Sequence, residues 1–266
     1  MKKIFRLTII YAYCCIMALS IAACSKDDDN PSEPKVKMQL AGITITDPAL
    51  SIYGQGTTTT FSNFVYDNQG RLTSYDLDDY SGNQGTVTYE YQTASIIKTD
   101  SEGNSIKYQL TNGLISSADD KLNTNYYFIE KYSYTDNNLT TWIEGNFYGY
   151  ETEISYMWMN GNPIRESVYN QSSTTTTNYN YSELPCYIGF IQFLFDFYSR
   201  IDIEMIGGST FDPFLQQAGY YGNLPRNLII STDDCELSYE LNDNGYPTKI
   251  IAKDDSDTAT MTLQWK

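Results

Sequence analysis

The sequence predicts a mainly β fold: an antiparallel meander of repeated hairpins that forms a curled sheet or half-barrel, with a helical insertion at about residues 187–218 covering its concave face. Three observations predict this fold. Aromatic and apolar residues alternate with polar ones, Asn-Gly pairs separate the alternating runs, and a similar phrase returns at intervals of roughly 20–25 residues. Period-two alternation places side chains on one face of a strand, and Asn-Gly adopts the positive φ of tight hairpin turns.

The first 23 residues have the composition of an export signal. Lys2, Lys3 and Arg6 precede an apolar stretch that ends at Ala23 and contains isolated polar residues. A basic segment followed by a short apolar one is typical of a signal peptide, whereas a membrane-spanning helix needs about 20 apolar residues. We therefore expect residues 1–23 to be a signal peptide that the mature protein lacks.

The junction after this signal resembles a bacterial lipobox. Ile21-Ala22-Ala23-Cys24 has a branched apolar residue, two small residues and then a cysteine. The resemblance implies that Cys24 becomes the first residue of the mature protein and carries the lipid. Each buried CH₂ of an acyl chain contributes about 0.8 kcal/mol, so several chains anchor a protein firmly where a single chain is marginal. An ordinary signal peptide with an unrelated cysteine is the alternative.

A short acidic run follows the cysteine. It looks like the surface-export signal of Bacteroidetes lipoproteins, which implies an outer-membrane, lipid-anchored protein that faces the cell exterior. A solvated charge run in a disordered tail is the other interpretation, and both can hold together. Residues 24–37 are therefore predicted to be a lipidated cysteine and a flexible acidic tether. The residues of the export signal are Lys26, Asp27, Asp28 and Asp29.

One domain is predicted over residues 38–266, and a repeated phrase fills most of it. Each copy has alternating aromatic or apolar residues, then in most copies Asn, Asp or Gly, then Leu, Ile or Pro at the start of a second run. The spacing suits two strands of about eight residues and two turns. The copies are FVYDNQGRLTSY at 64–75, YEYQTASIIKT at 89–99, YQLTNGLISS at 108–117, YSYTDNNLTTW at 132–142, SYMWMNGNPIRES at 155–167 and SYELNDNGYPTKIIA at 238–252.

The first copy carries a specific motif. Tyr66-Asp67, Gly70, Arg71 and Leu72 match the YD repeat of Rhs-type proteins, which form curling sheets of successive hairpins. Together, the anchor, the hairpin phrases and the chain length look more like a family of Bacteroidetes lipoproteins of unknown function with a porin-like half-barrel fold. This second resemblance covers most of the mature chain. It implies the fold and the location, and it supplies no catalytic residues.

One segment departs from the hairpin pattern. Apolar residues of the segment 187–205 recur at helical spacing between a proline and a pair of glycines. Asp212 is expected to cap a second, short helix that has Pro213 at its first position and Gly219 beyond its end. We interpret 187–205 as a helix packed on the concave face of the sheet. A partner-binding or membrane-touching apolar face is the alternative.

The charge balance excludes several partners. The sequence has 17 Lys and Arg residues against 33 Asp and Glu, a formal net charge of −16. Loss of the signal peptide removes three of the 17 basic residues and makes the charge more negative. Such an acidic protein repels nucleic acid and anionic lipid surfaces, so membrane contact is expected through the lipid anchor only. The sequence has no histidine, which excludes His-based triads and His-liganded zinc.

Besides Cys24, the predicted mature chain has two cysteines, Cys186 and Cys235. An oxidising compartment permits a disulfide between them, which would close a loop of about 50 residues and contribute roughly 4 kcal/mol in the chain-entropy model. The alternative is two separately buried thiols that pack as small apolar residues. The sequence leaves both alternatives open.

The candidate ligand contacts are aromatic. Flat rings with polar edges stack on sugars and also suit half-buried sheets, so most of the tyrosines are expected to be structural. An exposed aromatic platform would favour a glycan-binding protein of a polysaccharide-use system. The best candidate cluster for ligand stacking is Trp142, Tyr148, Tyr150, Tyr156 and Trp158.

Carboxylates offer a less favoured alternative. Asp78-Asp79 and Asp254-Asp255 could in principle hydrolyse glycosides, but they lie beside Gly/Ser-rich turns and are interpreted as solvated loop charges. Residues 67–70 and 242–245 faintly resemble calcium loops, and hairpin turns explain them better. No metal site, cofactor or catalytic residue is predicted.

These features predict a surface-exposed outer-membrane lipoprotein that acts as a non-catalytic binding or envelope-interaction module, with a glycan or an envelope protein as partner. A glycan-binding protein and a carboxylate-dependent hydrolase are the alternatives. Asp257-Thr258-Ala259 also resembles the Bacteroides O-glycosylation acceptor, which implies glycan attachment at Thr258. A plain hairpin turn is the other interpretation of that segment.

Overall fold

The structure, a computed structural model, describes the chain between residues 36 and 266, with gaps. Residues 1–35 lie outside the described residues. Among the described segments, no helix combines the length and apolar composition that crossing a membrane requires. The described residues are 36–47, 57–79, 82, 84–123, 126–146, 151–170, 172–188, 211–255 and 258–266.

In the described part of the chain, 17 strands form one sheet. The strands show the predicted alternation of buried and exposed side chains. On the fourth strand, Val87 and Tyr89 are buried, whereas Thr88 and Glu90 are exposed. The strands are β1 Leu40–Asp47, β2 Thr57–Tyr66, β3 Leu72–Asp78, β4 Gln84–Tyr91, β5 Ser95–Thr99, β6 Ser105–Thr111, β7 Leu114–Asn123, β8 Tyr126–Thr135, β9 Asn138–Asn146, β10 Glu151–Met159, β11 Asn162–Asn170, β12 Ser173–Asn178, β13 Asn180–Pro185, β14 Asn227–Ser231, β15 Glu236–Leu241, β16 Pro247–Lys253 and β17 Thr258–Trp265.

The strands follow one another around the sheet as an antiparallel meander. The first and last strands also pair, with Ile43 opposite Leu263, so the described strands form a nearly closed, barrel-like sheet. β12 and β13 form one extended run that is interrupted at Tyr179. β12 pairs with β11, and β13 pairs with β14. The predicted fold class is confirmed, and the pairing of β1 with β17 closes the sheet further than a half-barrel.

Because consecutive strands are antiparallel, their connections alternate between the two rims of the sheet. The chain enters the sheet at Leu40 and leaves it at Trp265 on the same rim. The long connection 186–226, which contains helix α1 (Pro213–Gln217), also begins and ends on that rim. We call it the turn rim because it carries the short turns at residues 67–71, 92–94, 112–113, 136–137, 160–161 and 242–246.

The predicted Asn-Gly turns at residues 112–113 and 160–161 are confirmed, whereas residues 244–245 lie in the longer turn 242–246 and have positive φ only at the glycine. Asn112-Gly113 and Asn160-Gly161 have positive φ at both residues and connect their strands as two-residue hairpin loops. This backbone conformation matches the right-handed twist of the flanking strands. Asp136-Asn137 also has positive φ at both residues, because short polar side chains tolerate this region.

The two calcium-like sequences form hairpin turns, as predicted. The Asp67 carboxylate accepts hydrogen bonds from the backbone N–H groups of Gln69 and Arg71. Asn242 accepts the corresponding bonds from the N–H groups two and four residues later. Side-chain acceptors of this kind satisfy turn N–H groups that would otherwise lack a partner. These oxygens therefore stabilise the turns.

The helical insertion is described only at its end. The predicted cap is confirmed: Asp212 accepts hydrogen bonds from the N–H groups of Phe214 and Leu215, and Pro213 begins α1. Gly219 follows the helix with a φ of +85°. Phe214 and Leu215 belong to the hydrophobic core, so α1 covers part of the inner face of the sheet. Of the predicted helix over 187–205, residues 187–188 are described and are not helical, and residues 189–205 lie outside the described residues.

Candidate functional site

Aromatic side chains near the turn rim repeat one hydrogen-bonding arrangement, which we call the aromatic belt. Tyr66 donates its hydroxyl to the carbonyl of Leu40 at 2.9 Å, and Tyr91 donates to the carbonyl of Leu72 at 2.8 Å. In each case the acceptor lies near the start of the previous strand or strand run. In the described part of the chain the belt has seven members: Tyr66, Tyr91, Tyr134, Trp158, Tyr181, Tyr239 and Trp265.

The belt joins strands that no turn connects at this rim. A short turn links β2 to β3 there, whereas Tyr66 links β2 back to β1. The same alternation of a turn and an aromatic hydrogen bond recurs around the rim. A Tyr or Trp suits this position because its ring packs in the core while its polar atom reaches a backbone acceptor. The recurring aromatic residue of the sequence phrase therefore stabilises the rim.

The end of the insertion is fixed to the turns by backbone hydrogen bonds. The N–H of Asn223 donates to the carbonyl of Asn137 at 2.8 Å, and the N–H of Arg226 donates to the carbonyl of Gly161 at 2.9 Å. Both acceptors belong to two-residue turns. The connection between α1 and β14 therefore lies across the turn rim.

Asp212 attaches the insertion to the inner face. One carboxylate oxygen caps α1, and the other lies 2.8 Å from Lys98 Nζ and accepts the Tyr89 hydroxyl at 2.7 Å. Burial alone would lower the pKa of Lys98, but the Asp212 carboxylate raises it above its ordinary value. Both oxygens of this fully buried carboxylate have protein partners. Asp212 therefore has a structural role.

A groove of about 300 Å³ lies at the turn rim beside both ends of the sheet-forming chain, the first turn and α1. We call it the rim groove. Its apolar part comes from Leu40, Leu72 and Phe214, which are buried. The rings of Tyr66 and Trp265 also line it. A volume of this size is at the lower end of the range for small-molecule sites.

Polar groups complete the lining of the rim groove. They are the amides of Gln39, Gln69 and Gln217 and the ammonium groups of Lys37 and Lys266. Each amide offers both donors and an acceptor, and each ammonium offers three donors. Among the described lining residues there is no Asp, Glu, Cys, Ser or Thr.

Two contacts hold ammonium and ring groups in position at the groove. Lys266 Nζ donates to the carbonyl of Phe64 at 3.1 Å and lies 5.1 Å from the centroid of the Tyr66 ring. Burial raises the pKa of Tyr66 to about 12, although its hydrogen bond to Leu40 acts in the opposite direction. Tyr66 is therefore a neutral donor at physiological pH, and its ring supports the Lys266 cation.

A comparison with protein families identifies the fold family. The family described as a domain of unknown function (DUF4595) with porin-like fold matches residues 64–249. The match extends from the end of β2 into β16 and includes the insertion.

The chain belongs to this family. The strands from β3 to β15 and α1 fall within the DUF4595 match, whereas Lys37 and Lys266 of the rim groove fall outside it.

A solved structure supports the fold of this DUF4595 chain. A porin-like protein from Bacteroides uniformis ATCC 8492 is similar with a TM-score of 0.62 and 17% sequence identity, over 86% of this chain and 99% of that chain. At this identity the likeness shows the fold alone. No curated protein matches the chain. The expected membership of a family of unknown function with a porin-like fold is confirmed.

The structure does not bring the predicted aromatic cluster together as an exposed platform. Trp142 is only 1% exposed and its ring stacks on Phe211 at 5.4 Å, so the prediction that it contacts a ligand is wrong. Its position on β9 faces the core because it lies opposite Ile154, which is fully buried.

The other members of that cluster divide into two groups. Tyr156 and Trp158 are half-buried on the inner face of β10 and line a cavity of about 10 Å³, which has room for about one water molecule. Trp158 also belongs to the aromatic belt. Tyr148 and Tyr150 lie outside the described residues.

The two cysteines are free thiols in the structure. Cys186 is buried, and burial raises the pKa of its thiol to about 12 while its hydrogen bond to the Ile188 carbonyl opposes the shift. Cys235 is half-buried and packs against the core. This arrangement matches the alternative of two separate apolar thiols.

The remaining sequence-predicted sites stay predictions. Thr258 is exposed at the start of β17, where a glycan would meet no core side chain. Lipidation at Cys24 and the export signal of Lys26 with Asp27, Asp28 and Asp29 fall outside the described residues. In the segments that are described, no group of three or more His, Cys, Asp or Glu side chains could hold a metal ion.

Sequence reasoning missed the residues that form the rim groove. Lys37 and Leu40 precede the first phrase, Gln217 ends α1, and Trp265 and Lys266 follow the last phrase. One signal was present: Tyr66 and Trp265 each end a strand with an aromatic residue. The position of these strands side by side depends on closure of the sheet, which no local pattern encodes.

Proposed function

We propose that this DUF4595 chain is a non-catalytic binding or envelope-interaction module, held at the outer membrane by a lipid on Cys24 and displayed outside the cell. The rim groove is the observation that carries the binding role. Its described lining combines aromatic rings, amides and lysines and has no Asp, Glu or Cys side chain. Such a lining provides contacts for recognition and lacks the usual acid, base or nucleophile of a hydrolase.

The buried carboxylates of the inner face support a non-catalytic role. Asp212 contacts Lys98 and Tyr89, and the fully buried Glu130 accepts a hydrogen bond from Tyr132. Glycoside hydrolysis needs two carboxylates that flank a substrate bond. Carboxylates enclosed in a packed core do not meet that requirement, so the inner face offers no carboxylate pair for hydrolysis among its described residues.

The attachment of the tether favours a ligand at the cell envelope. The tether joins the fold at the start of β1, and Lys37 and Met38 beside this junction line the rim groove. The groove therefore opens at the rim where the tether enters the domain. A lipid on Cys24 would hold the domain within reach of the outer surface of the membrane through the flexible tether.

The anchor is tested by fractionating cells that produce the full chain or its Cys24→Ala variant. We expect the chain in the membrane pellet and the variant in the soluble fraction, because the variant has no thiol to acylate. Replacing Lys26, Asp27, Asp28 and Asp29 by Ala should leave the pellet unchanged and protect the protein from protease added to intact cells. Full membrane recovery of Cys24→Ala contradicts the anchor, and unchanged proteolysis contradicts the export signal.

The groove is tested with a bulky substitution at its edge. Ala218 is exposed and lines the groove, so Ala218→Trp should fill it without disturbing the core. Ala94→Trp is a matched control at an exposed turn of the same rim. Binding to a glycan array and to detergent-solubilised envelope extract should include a ligand that Ala218→Trp loses and Ala94→Trp keeps. A ligand kept by both variants contradicts the groove, and a ligand recovered cleaved contradicts the non-catalytic role.

A further inference from the structure

The side chains that line the rim groove have a charge opposite in sign to the net charge of the molecule. The whole sequence carries a net charge of −16, yet the described lining of the groove contains Lys37 and Lys266 and no Asp or Glu side chain. Arg71, between the lining residues Gly70 and Leu72 in sequence, pairs with Asp67 at 2.6 Å and stacks over the Tyr91 ring. The two lysines therefore give the groove a local positive charge within a chain whose other surfaces are mainly negative. Local charges dominate at contact distance, since screening limits interactions to about 10 Å at 0.1 M salt.

The Lys266 ammonium is positioned to receive an acidic group. One of its three N–H donors points at the carbonyl of Phe64, at 3.1 Å, and the Tyr66 ring lies beneath it at 5.1 Å. These contacts fix the cation at the groove without neutralising it. An ammonium held in this way has donors for a carboxylate, and hydrogen bonds between charged partners are about twice as strong as neutral ones.

The neutral part of the lining suits a compact polyhydroxylated ring. The polar atoms of Tyr66 and Trp265 donate to the carbonyls of Leu40 and Pro247, so these residues present apolar ring surface to the groove, and the Lys266 ammonium already lies over the Tyr66 ring. Three amide side chains supply mixed donors and acceptors of the kind that hydroxyl groups need. A groove of about 300 Å³ fits a short saccharide better than an extended peptide.

We propose that the rim groove binds a saccharide that carries a carboxylate. Lys266 and Lys37 would bind the carboxylate, Gln39 and Gln69 the hydroxyls, and the Trp265 ring the apolar face of the sugar. This inference rests on the proposed binding function and names its ligand class. It assigns the acid specificity to residues outside the segment that matches the family.

The test measures binding of trigalacturonate to the full chain by calorimetry, with its trimethyl ester as the neutral matched probe. Lys266→Met should weaken trigalacturonate binding by about tenfold or more, the loss expected for one charge-assisted hydrogen bond. Lys266→Arg should retain binding, since it keeps the charge. Lys131→Met removes one positive charge from the exposed outer face and should leave binding unchanged.

Each other outcome has a defined meaning. Equal affinity for the acid and the ester, or no effect of Lys266→Met, overturns the acidic specificity but leaves the binding function standing if Ala218→Trp still abolishes binding. Tighter binding of triglutamate than of trigalacturonate, with the same Lys266 dependence, replaces the saccharide by an acidic peptide. Absence of binding to both trigalacturonate and its ester, by a chain that shows a cooperative unfolding transition, overturns the saccharide.

Discussion

Asp212 shows how one buried side chain joins two distant parts of the chain. It caps α1 through one carboxylate oxygen and contacts Lys98 of β5 and Tyr89 of β4 through the other. The side chain has no solvent exposure, and that of Lys98 is 24% exposed. A buried charge is tolerated only when it is paired and hydrogen-bonded, so each ion of this pair depends on the other.

Asp212→Ala is expected to lower the free energy of unfolding by about 3–5 kcal/mol, because it leaves the Lys98 ammonium without its buried partner and removes the cap of α1. Urea unfolding at neutral pH measures the change. Glu240→Ala is the control, since Glu240 pairs with Lys249 at the surface and such pairs contribute about 0–1 kcal/mol. Equal effects of the two substitutions would show that the insertion does not depend on Asp212.

At the scale of elements, the connection after α1 requires a close approach of two backbones. Gly222 has a φ of +87°, and a Cβ at this position would lie 2.1 Å from the carbonyl oxygen of Asn137. Gly113 has a similar φ of +82° but no atom within 4 Å of an added Cβ. Both positions need a left-handed backbone, and only Gly222 also needs the absence of a side chain.

Gly222→Ala should therefore destabilise the protein more than Gly113→Ala, whose cost is about 1–2 kcal/mol for a left-handed residue with a Cβ. The added methyl group must displace the connection from the β8–β9 turn. Amide hydrogen exchange should consequently accelerate at Asn223, whose N–H bonds to the Asn137 carbonyl. Chemical denaturation of both variants with exchange at that amide measures the effect. Equal losses of stability would contradict a tight contact.

At the scale of the whole molecule, the fold buries thiol and phenol groups. Burial keeps these groups protonated at pH values where they would ionise in the unfolded chain. Burial raises the pKa of Cys186 from 9.0 to about 12 and that of Tyr66 from 10.0 to about 12, although a backbone hydrogen bond opposes each shift. Burial also raises the pKa of Tyr75 and Tyr89. An acid whose pKa is higher in the folded state binds more protons when folded.

The free energy of unfolding should be lost progressively as the pH rises from about 9 to about 12. Each group contributes fully below its unfolded pKa, 9.0 for the thiol and 10.0 for the phenol, and loses that contribution as the pH approaches its folded value. Cys186→Ala should reduce the slope that begins near pH 9, and Tyr66→Phe the slope that begins near pH 10. Denaturant unfolding across this range measures both, and a flat wild-type profile would contradict the enclosed state of these groups.

The sequence predicted correctly those local features that depend only on residues close to one another along the chain. The turn at Asn160-Gly161 and the cap at Asp212 follow from a few adjacent residues, so local chemistry predicts them. The assignment of Trp142 to a ligand site was wrong because exposure depends on which face of the sheet a strand position occupies and on what covers that face. Phe211, which covers Trp142, is 69 positions away in the sequence.

The sequence by itself determined the period-two strands, the hairpin turns and the capped helix, because each needs only residues that are close in sequence. Tertiary structure alone decided the ring closure, the Lys98–Asp212 pair and the rim groove. The groove brings Leu40 beside Trp265, and these residues meet because β1 pairs with β17. That pairing depends on the number, twist and register of all the strands between them, which together determine whether the two ends of the sheet can reach each other.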